Sequence, residues 1–152
     1  MKRQQRPRLA VAEDGVSAIE FAFVAGILSM LLLGVCDFGL GFWEQMQVTN
    51  AARAGAEFAI KNGYDSTNVQ TAVTNATNLS GVQANPPPST SCGCPDATIG
   101  VSNATCGVGC PDGSTACTYL TVNARVSYST LFAWPGISSP MLLSSSATVR
   151  LN

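Results

Sequence analysis

One stretch constrains this chain more than any other: Gly15-Val16-Ser17-Ala18-Ile19-Glu20, followed by an apolar run from Phe21 to Cys36. Lys2, Arg3, Arg6 and Arg8 stand ahead of it. From Val16 to Gly41 the segment is long enough to cross a bilayer, which takes roughly 20 apolar residues. A carboxylate at the mouth of such a helix costs free energy in lipid unless something pairs with it. Basic residues favour the cytoplasmic side, so the N-terminus is expected inside and the bulk of the chain outside.

The segment also carries small residues at helix-contact spacing, Ala22 and Gly26 among them, which let another helix approach closely. Asp37 ends the strictly apolar part. At about 1.5 Å per residue, Glu20 and Asp37 lie roughly 25 Å apart along a helix, so each reaches a membrane interface. Phe38, Phe42 and Trp43 supply aromatic side chains at the outer boundary. A cleaved secretory signal is the competing reading, with Gly39-Leu40-Gly41 as a weak small-x-small site. Against it, the helical pattern continues unbroken through Glu44 to Ile60. There Val48, Ala51, Ala52, Gly55, Ala56 and Ala59 recur at spacings of three and four.

The expected organisation is therefore a leader over residues 1–15, a long helix over 16–60 with its membrane segment at about 19–41, and an extracytoplasmic domain over 61–152. Asn62-Gly63 stops the long helix. Ser66 or Thr67 is expected to cap a second one, with Val69, Ala72, Val73, Ala76 and Leu79 on its apolar face. Asn85-Pro86-Pro87-Pro88-Ser89 reads as an extended spacer, and Cys92 to Cys117 as loop held by cross-links. Thr118 to Tyr128 alternates as a strand, with Leu120, Val122, Ala124, Val126 and Tyr128 on one face. Trp134-Pro135-Gly136 marks a turn region, and Leu142 to Leu151 reads as the antiparallel partner strand. The fold class is α+β: a long N-terminal helix, then a small disulfide-tied domain ending in a β-hairpin.

Composition excludes several functions. The chain has no His, which removes the usual general base and the commonest metal ligand. No nucleophile–base pair, phosphate loop or metal cluster is visible, so no catalytic residue, metal or cofactor is expected, and no small-molecule substrate. A net charge of −1 gives no reason to expect nucleic-acid binding. Three N-x-S/T triplets, at Asn75, Asn78 and Asn103, read as chance in a Thr/Asn-rich chain.

Cys92, Cys94, Cys106, Cys110 and Cys117 fall in the outer part, where disulfides persist, while Cys36 reads as a small hydrophobe within the apolar run. The cysteine spacing is not that of common structural zinc sites. Two intramolecular bonds and one odd cysteine are expected, with the connectivity open. A bond between the near neighbours Cys92 and Cys94 is awkward, so one of them should reach a later cysteine.

The layout of basic head, Gly15 and Glu20 resembles that of type IV prepilins. More closely, Glu20-Phe21-Ala22-Phe23-Val24, Gly34-Val35-Cys36-Asp37-Phe38-Gly39 and Asn50-Ala51-Ala52-Arg53-Ala54-Gly55-Ala56 resemble the TadE-like family of bacterial pseudopilins. The family usually has Glu where this chain has Asp37, which keeps the charge. The resemblance implies a minor subunit of the tight-adherence (Flp) pilus machinery, involved in pilus assembly and surface adhesion and anchored by a single pass in the bacterial inner membrane. Its implied partners are other pilins, the Tad secretion machinery, a prepilin peptidase and the lipid bilayer. Cleavage is expected between Gly15 and Val16, shifting the net charge from −1 to about −3.

Glu20 is then the assembly carboxylate, pairing with the new Val16 amine of its own or a neighbouring subunit. Asp37 has two readings: a contact with a basic partner, or a solvated carboxylate at the outer interface. Asn50, Ala51, Ala52, Arg53 and Gly55 read as helix packing, against the chain's own hairpin or against another subunit. Arg53 is expected to snorkel or to pair with Glu57. Two other functions stay open: a minor pseudopilin of a type II secretion system, and a membrane-tethered binding module that enters no filament.

Overall fold

The computed structural model describes residues 14–151. The basic head, Lys2, Arg3, Arg6 and Arg8, lies outside the described residues, as does most of the expected leader. The chain divides into two units after Phe38.

Helix α1 runs Asp14–Asn62, 49 residues, slightly longer at both ends than the sequence predicts. In the first unit it is the described element, and its apolar side chains from Val16 to Val35 are largely exposed. At its far end Gly63 takes a φ of 85°, and its N–H donates to the Ala59 carbonyl at 3.0 Å. This left-handed closing residue satisfies a carbonyl that the helix end would otherwise orphan.

The second unit begins with the α1 residues from Gly39 onward. Helix α2 spans Ser66–Asn75. Its cap is Asp65 rather than Ser66 or Thr67: the Asp65 side chain accepts from the Asn68 N–H at 2.8 Å. Asp and Ser cap with similar strength, so sequence alone left the choice one residue off. Val69 and Val73 are buried, Ala72 and Leu79 half-buried, and Ala76 is the exposed cap at the other end.

Four strands follow: β1 Ser89–Asp96, β2 Gly100–Asn103, β3 Cys117–Tyr128 and β4 Met141–Arg150. They form one antiparallel sheet in the order β2-β1-β3-β4. The terminal hairpin stands as expected, with Tyr119 opposite Arg150 and Tyr128 opposite Met141. The first half of the Cys-rich part is not loop. It supplies β1 and β2, with Gly93 opposite Cys117 on one side and opposite Asn103 on the other.

Nor is the proline-rich stretch a free spacer. Gln83 exchanges two backbone hydrogen bonds with Arg125, each 2.9 Å, and Ser89 pairs with Thr121, so this part of the chain lies along β3. The Arg125 guanidinium also donates to the Asn85 carbonyl, and the Tyr64 hydroxyl donates to the Pro88 carbonyl at 2.8 Å.

The core of this unit joins Val48, Ala51, Ala52, Ala56 and Ala59 of α1 to Val69 and Val73 of α2 and to Leu120, Val122, Ala124 and Val126 of β3. Alternate residues of β4, Leu143, Ala147 and Val149, pack against it. Burying these side chains contributes about 25 cal/mol per Å² of apolar surface removed from water. The alanines let the helix settle close to the strand.

Candidate membrane and assembly surface

Gly15, Val16 and Glu20 lie on the first turns of α1, and all three are exposed. Beyond them Phe21, Phe23, Val24, Ile27, Leu28, Met30, Leu31, Leu32 and Val35 are more than half exposed. Among the described residues nothing covers the most apolar window of this helix, which is long and apolar enough to cross a membrane. A core helix of a soluble protein would have that surface buried. Among the described residues α1 is therefore the candidate membrane span.

Asp37 departs from its surroundings. Its neighbours Cys36 and Phe38 are exposed, whereas Asp37 is 1% exposed. The reading of Asp37 as a solvated carboxylate is thereby corrected. No buried side-chain nitrogen or oxygen among the described residues lacks a hydrogen-bond partner. A buried carboxylate requires such satisfaction, because an unmet one costs several kcal/mol. Sequence could not show this, since its position at the end of the apolar run suits an exposed side chain equally well.

The small-residue face of α1 turns inward. Ala51, Ala52 and Gly55 are buried within the second unit, where a Cβ on Gly55 would lie 3.0 Å from Val122 Cγ1 and 3.5 Å from Val69 Cγ1. These positions pack on the chain's own domain, which answers the alternative the sequence left open. Asn50, Arg53 and Glu57 point to solvent.

Cys92 is joined to Cys106, and Cys94 to Cys110, with Cα–Cα separations of 5.1 and 5.6 Å. Both near neighbours thus reach later cysteines. Cys36 and Cys117 carry free thiols. Cys117 opens β3, and its thiol donates to the Thr115 carbonyl at 3.1 Å. Cys94 and Cys110, with Ala116, form a second small buried cluster beyond the main core.

Two aspartates organise the turns around these bridges. Asp96 accepts from the Thr98 N–H at 2.7 Å, the Thr98 hydroxyl at 2.6 Å and the Ile99 N–H at 3.1 Å. Asp112 accepts from the Ser114 hydroxyl at 2.7 Å and its N–H at 3.0 Å. The side-chain hydroxyl bonds lead in holding both carboxyls below the usual carboxylate range. Among the described residues, no group of three or more Cys, Asp or Glu side chains could hold a metal ion.

The chain thus offers an uncovered apolar helix, a carboxylate on its first turns and a small cross-linked domain. No curated protein and no solved structure matches the chain at a significant level. A family model does match, over residues 15–57, the stretch that holds Glu20, Asp37 and the small-residue face. Over that stretch the chain is similar to the TadE-like protein family.

Proposed function

We propose that this chain is a membrane-anchored minor pilin-like subunit of a Tad/Flp-type pilus apparatus, with a structural role in pilus assembly and surface adhesion. The observation that carries the reading is a coincidence of place. The TadE-like match begins at Gly15 and covers the apolar helix that none of the described residues buries. In this reading the N-terminus is cytoplasmic and the second unit lies in the periplasm, an oxidising compartment where its two disulfides persist.

A prepilin peptidase cleaves between Gly15 and Val16. The freed Val16 amine is cationic and meets Glu20 of its own or a neighbouring subunit. The pairing offsets the several kcal/mol that an unpaired charge costs near lipid. Other pilins then pack against the exposed apolar face, and the Tad secretion machinery supplies the assembly step.

N-terminal sequencing of the protein from membranes of a strain with an active prepilin peptidase tests the reading. The mature chain should start at Val16. A start at Met1, or beyond Gly41, contradicts it.

A further inference from the structure

The β3–β4 connection, residues 129–140, was legible in the sequence only as a turn region, yet it leaves large apolar side chains exposed. Leu131 is 61% and Phe132 45% exposed, and Leu142 just beyond it 61%. Phe132 stacks edge-on to Trp134, ring centroids 6.4 Å apart at 76°. The loop is tightly built. The Ile137 N–H donates to the Trp134 carbonyl at 3.2 Å across a Pro135-Gly136 turn in which Gly136 takes a φ of 82°. At its base, the Thr130 N–H donates to Ser139 Oγ at 3.1 Å. No charged residue occurs between Arg125 and Arg150.

Its place in the second unit gives this surface a meaning. The α1 residues of that unit run antiparallel to β3: Gly55 lies beside Val122, and Gly41 beside the Tyr128 ring, where a Cβ would stand 3.4 Å from Tyr128 Cε1. Gln45 Nε2 donates to the Ser144 carbonyl at 2.9 Å, which fixes β4 at the same end. The β3–β4 loop therefore lies at the Gly41 end of this unit's α1 residues. The disulfides lie toward the opposite end, beyond Cys117. At the loop's end α1 shows the same chemistry, with Phe42 70% and Trp43 47% exposed.

We propose that the β3–β4 loop is a second membrane contact, seated in the outer headgroup–acyl interface of the bilayer that α1 crosses. The inference rests on the reading of α1 as a membrane span. Aromatic side chains with a polar handle favour that zone, and an uncharged loop enters it without desolvating an ion. A preformed loop also loses little conformational freedom on docking.

The test uses the full chain in proteoliposomes. Replacing Trp43→Phe leaves Trp134 as the sole tryptophan, and replacing Trp134→Phe leaves Trp43. Each variant is read by quenching with lipids brominated high on the acyl chain and with aqueous acrylamide. Trp134 should lose most of its emission to the bromolipid, emit to the blue of exposed tryptophan, and resist acrylamide at every lipid-to-protein ratio. Strong acrylamide quenching of Trp134 without bromolipid quenching, while Trp43 is quenched by bromolipid, overturns the proposal and leaves the anchor intact. Loss of bromolipid quenching at both positions overturns the anchor reading itself. Protection of Trp134 from both quenchers that vanishes on dilution with lipid assigns the loop to a second copy of the chain, and also overturns the proposal.

Discussion

Gly55 of α1 faces Val73 of α2 with no room for a methyl group between them: a Cβ at position 55 would stand 2.5 Å from Val73 Cγ2. Val122 Cγ1 of β3 closes the same site from the sheet side at 3.0 Å. Both neighbours are β-branched and stiff at χ1, so neither yields cheaply. One glycine thus sets how closely α1, α2 and β3 converge.

Gly55→Ala gains about 1 kcal/mol of helix propensity, but overpacking a filled core costs about 1–3 kcal/mol. The steric loss should prevail, and Gly55→Val should lose more than Gly55→Ala. Adding Val73→Ala to Gly55→Ala should restore part of the loss, because it vacates the closest contact. Denaturant unfolding of the natural chain, Gly55→Ala, Val73→Ala and the double variant in detergent micelles measures this as a double-mutant cycle. Additive effects of the two substitutions would show that the contact does not govern the packing.

This packing was partly legible in the sequence. Val48, Ala51, Ala52, Gly55, Ala56 and Ala59 announced a narrow helix face, and alternation in Leu120, Val122, Ala124 and Val126 announced the strand face that meets it. Both signals are periodic and local. What they could not show was which surface the helix face meets, because packing on a domain and packing on another subunit demand the same small residues.

β1 and β2 were hidden for a different reason. Ser89–Asp96 reads STSCGCPD, a composition poor in strand-formers, and its pairing is set by β3 and by two cross-links rather than by local preference. The burial of Asp37 likewise leaves no periodic trace in the sequence. The exposed loop at Phe132 and Trp134 carried a signal, aromatic residues in a charge-free stretch, that turn residues obscured.

The disulfides give a direct count. Alkylation without reduction should label Cys36 and Cys117 alone, and reduction should release Cys92, Cys94, Cys106 and Cys110. Each bridge closes a loop of 14 or 16 residues, for which chain entropy gives about 3 kcal/mol of stabilisation. Cys94→Ala should cost more than Cys92→Ala, since Cys94 and Cys110 are buried together. Mass spectrometry counts the labels, and finding Cys117 in a bridge would contradict the pairing.

Asp96 makes the β1–β2 turn sensitive to acid. Its three accepted hydrogen bonds favour the carboxylate, so its folded value lies below the ordinary 3.8. The contribution is present above that value and is lost as pH falls through the lower, folded one. The amide resonances of Thr98 and Ile99 should therefore hold steady from neutral pH down to the ordinary range and shift only below it. Asp96→Asn should remove that transition. A Thr98 shift centred above 3.8 would contradict the assigned bonds.

Glu20 separates a filament subunit from a plain anchor. Glu20→Ala removes a carboxylate from the first turns of an uncovered apolar helix, so insertion into the membrane should hold or improve slightly. Cleavage should persist, since Gly15 and the basic head are untouched. Assembly should fail, because the Val16 amine then meets no counter-charge, and an unpaired charge near lipid costs several kcal/mol. The most direct measurement is surface pilus output beside the amount of processed protein in the membrane, for the natural chain and for Glu20→Ala in the same strain. The expected result is normal processing and abundance with pili strongly reduced; normal processing, abundance and pili together would contradict an assembly role for Glu20 and favour a tethered module.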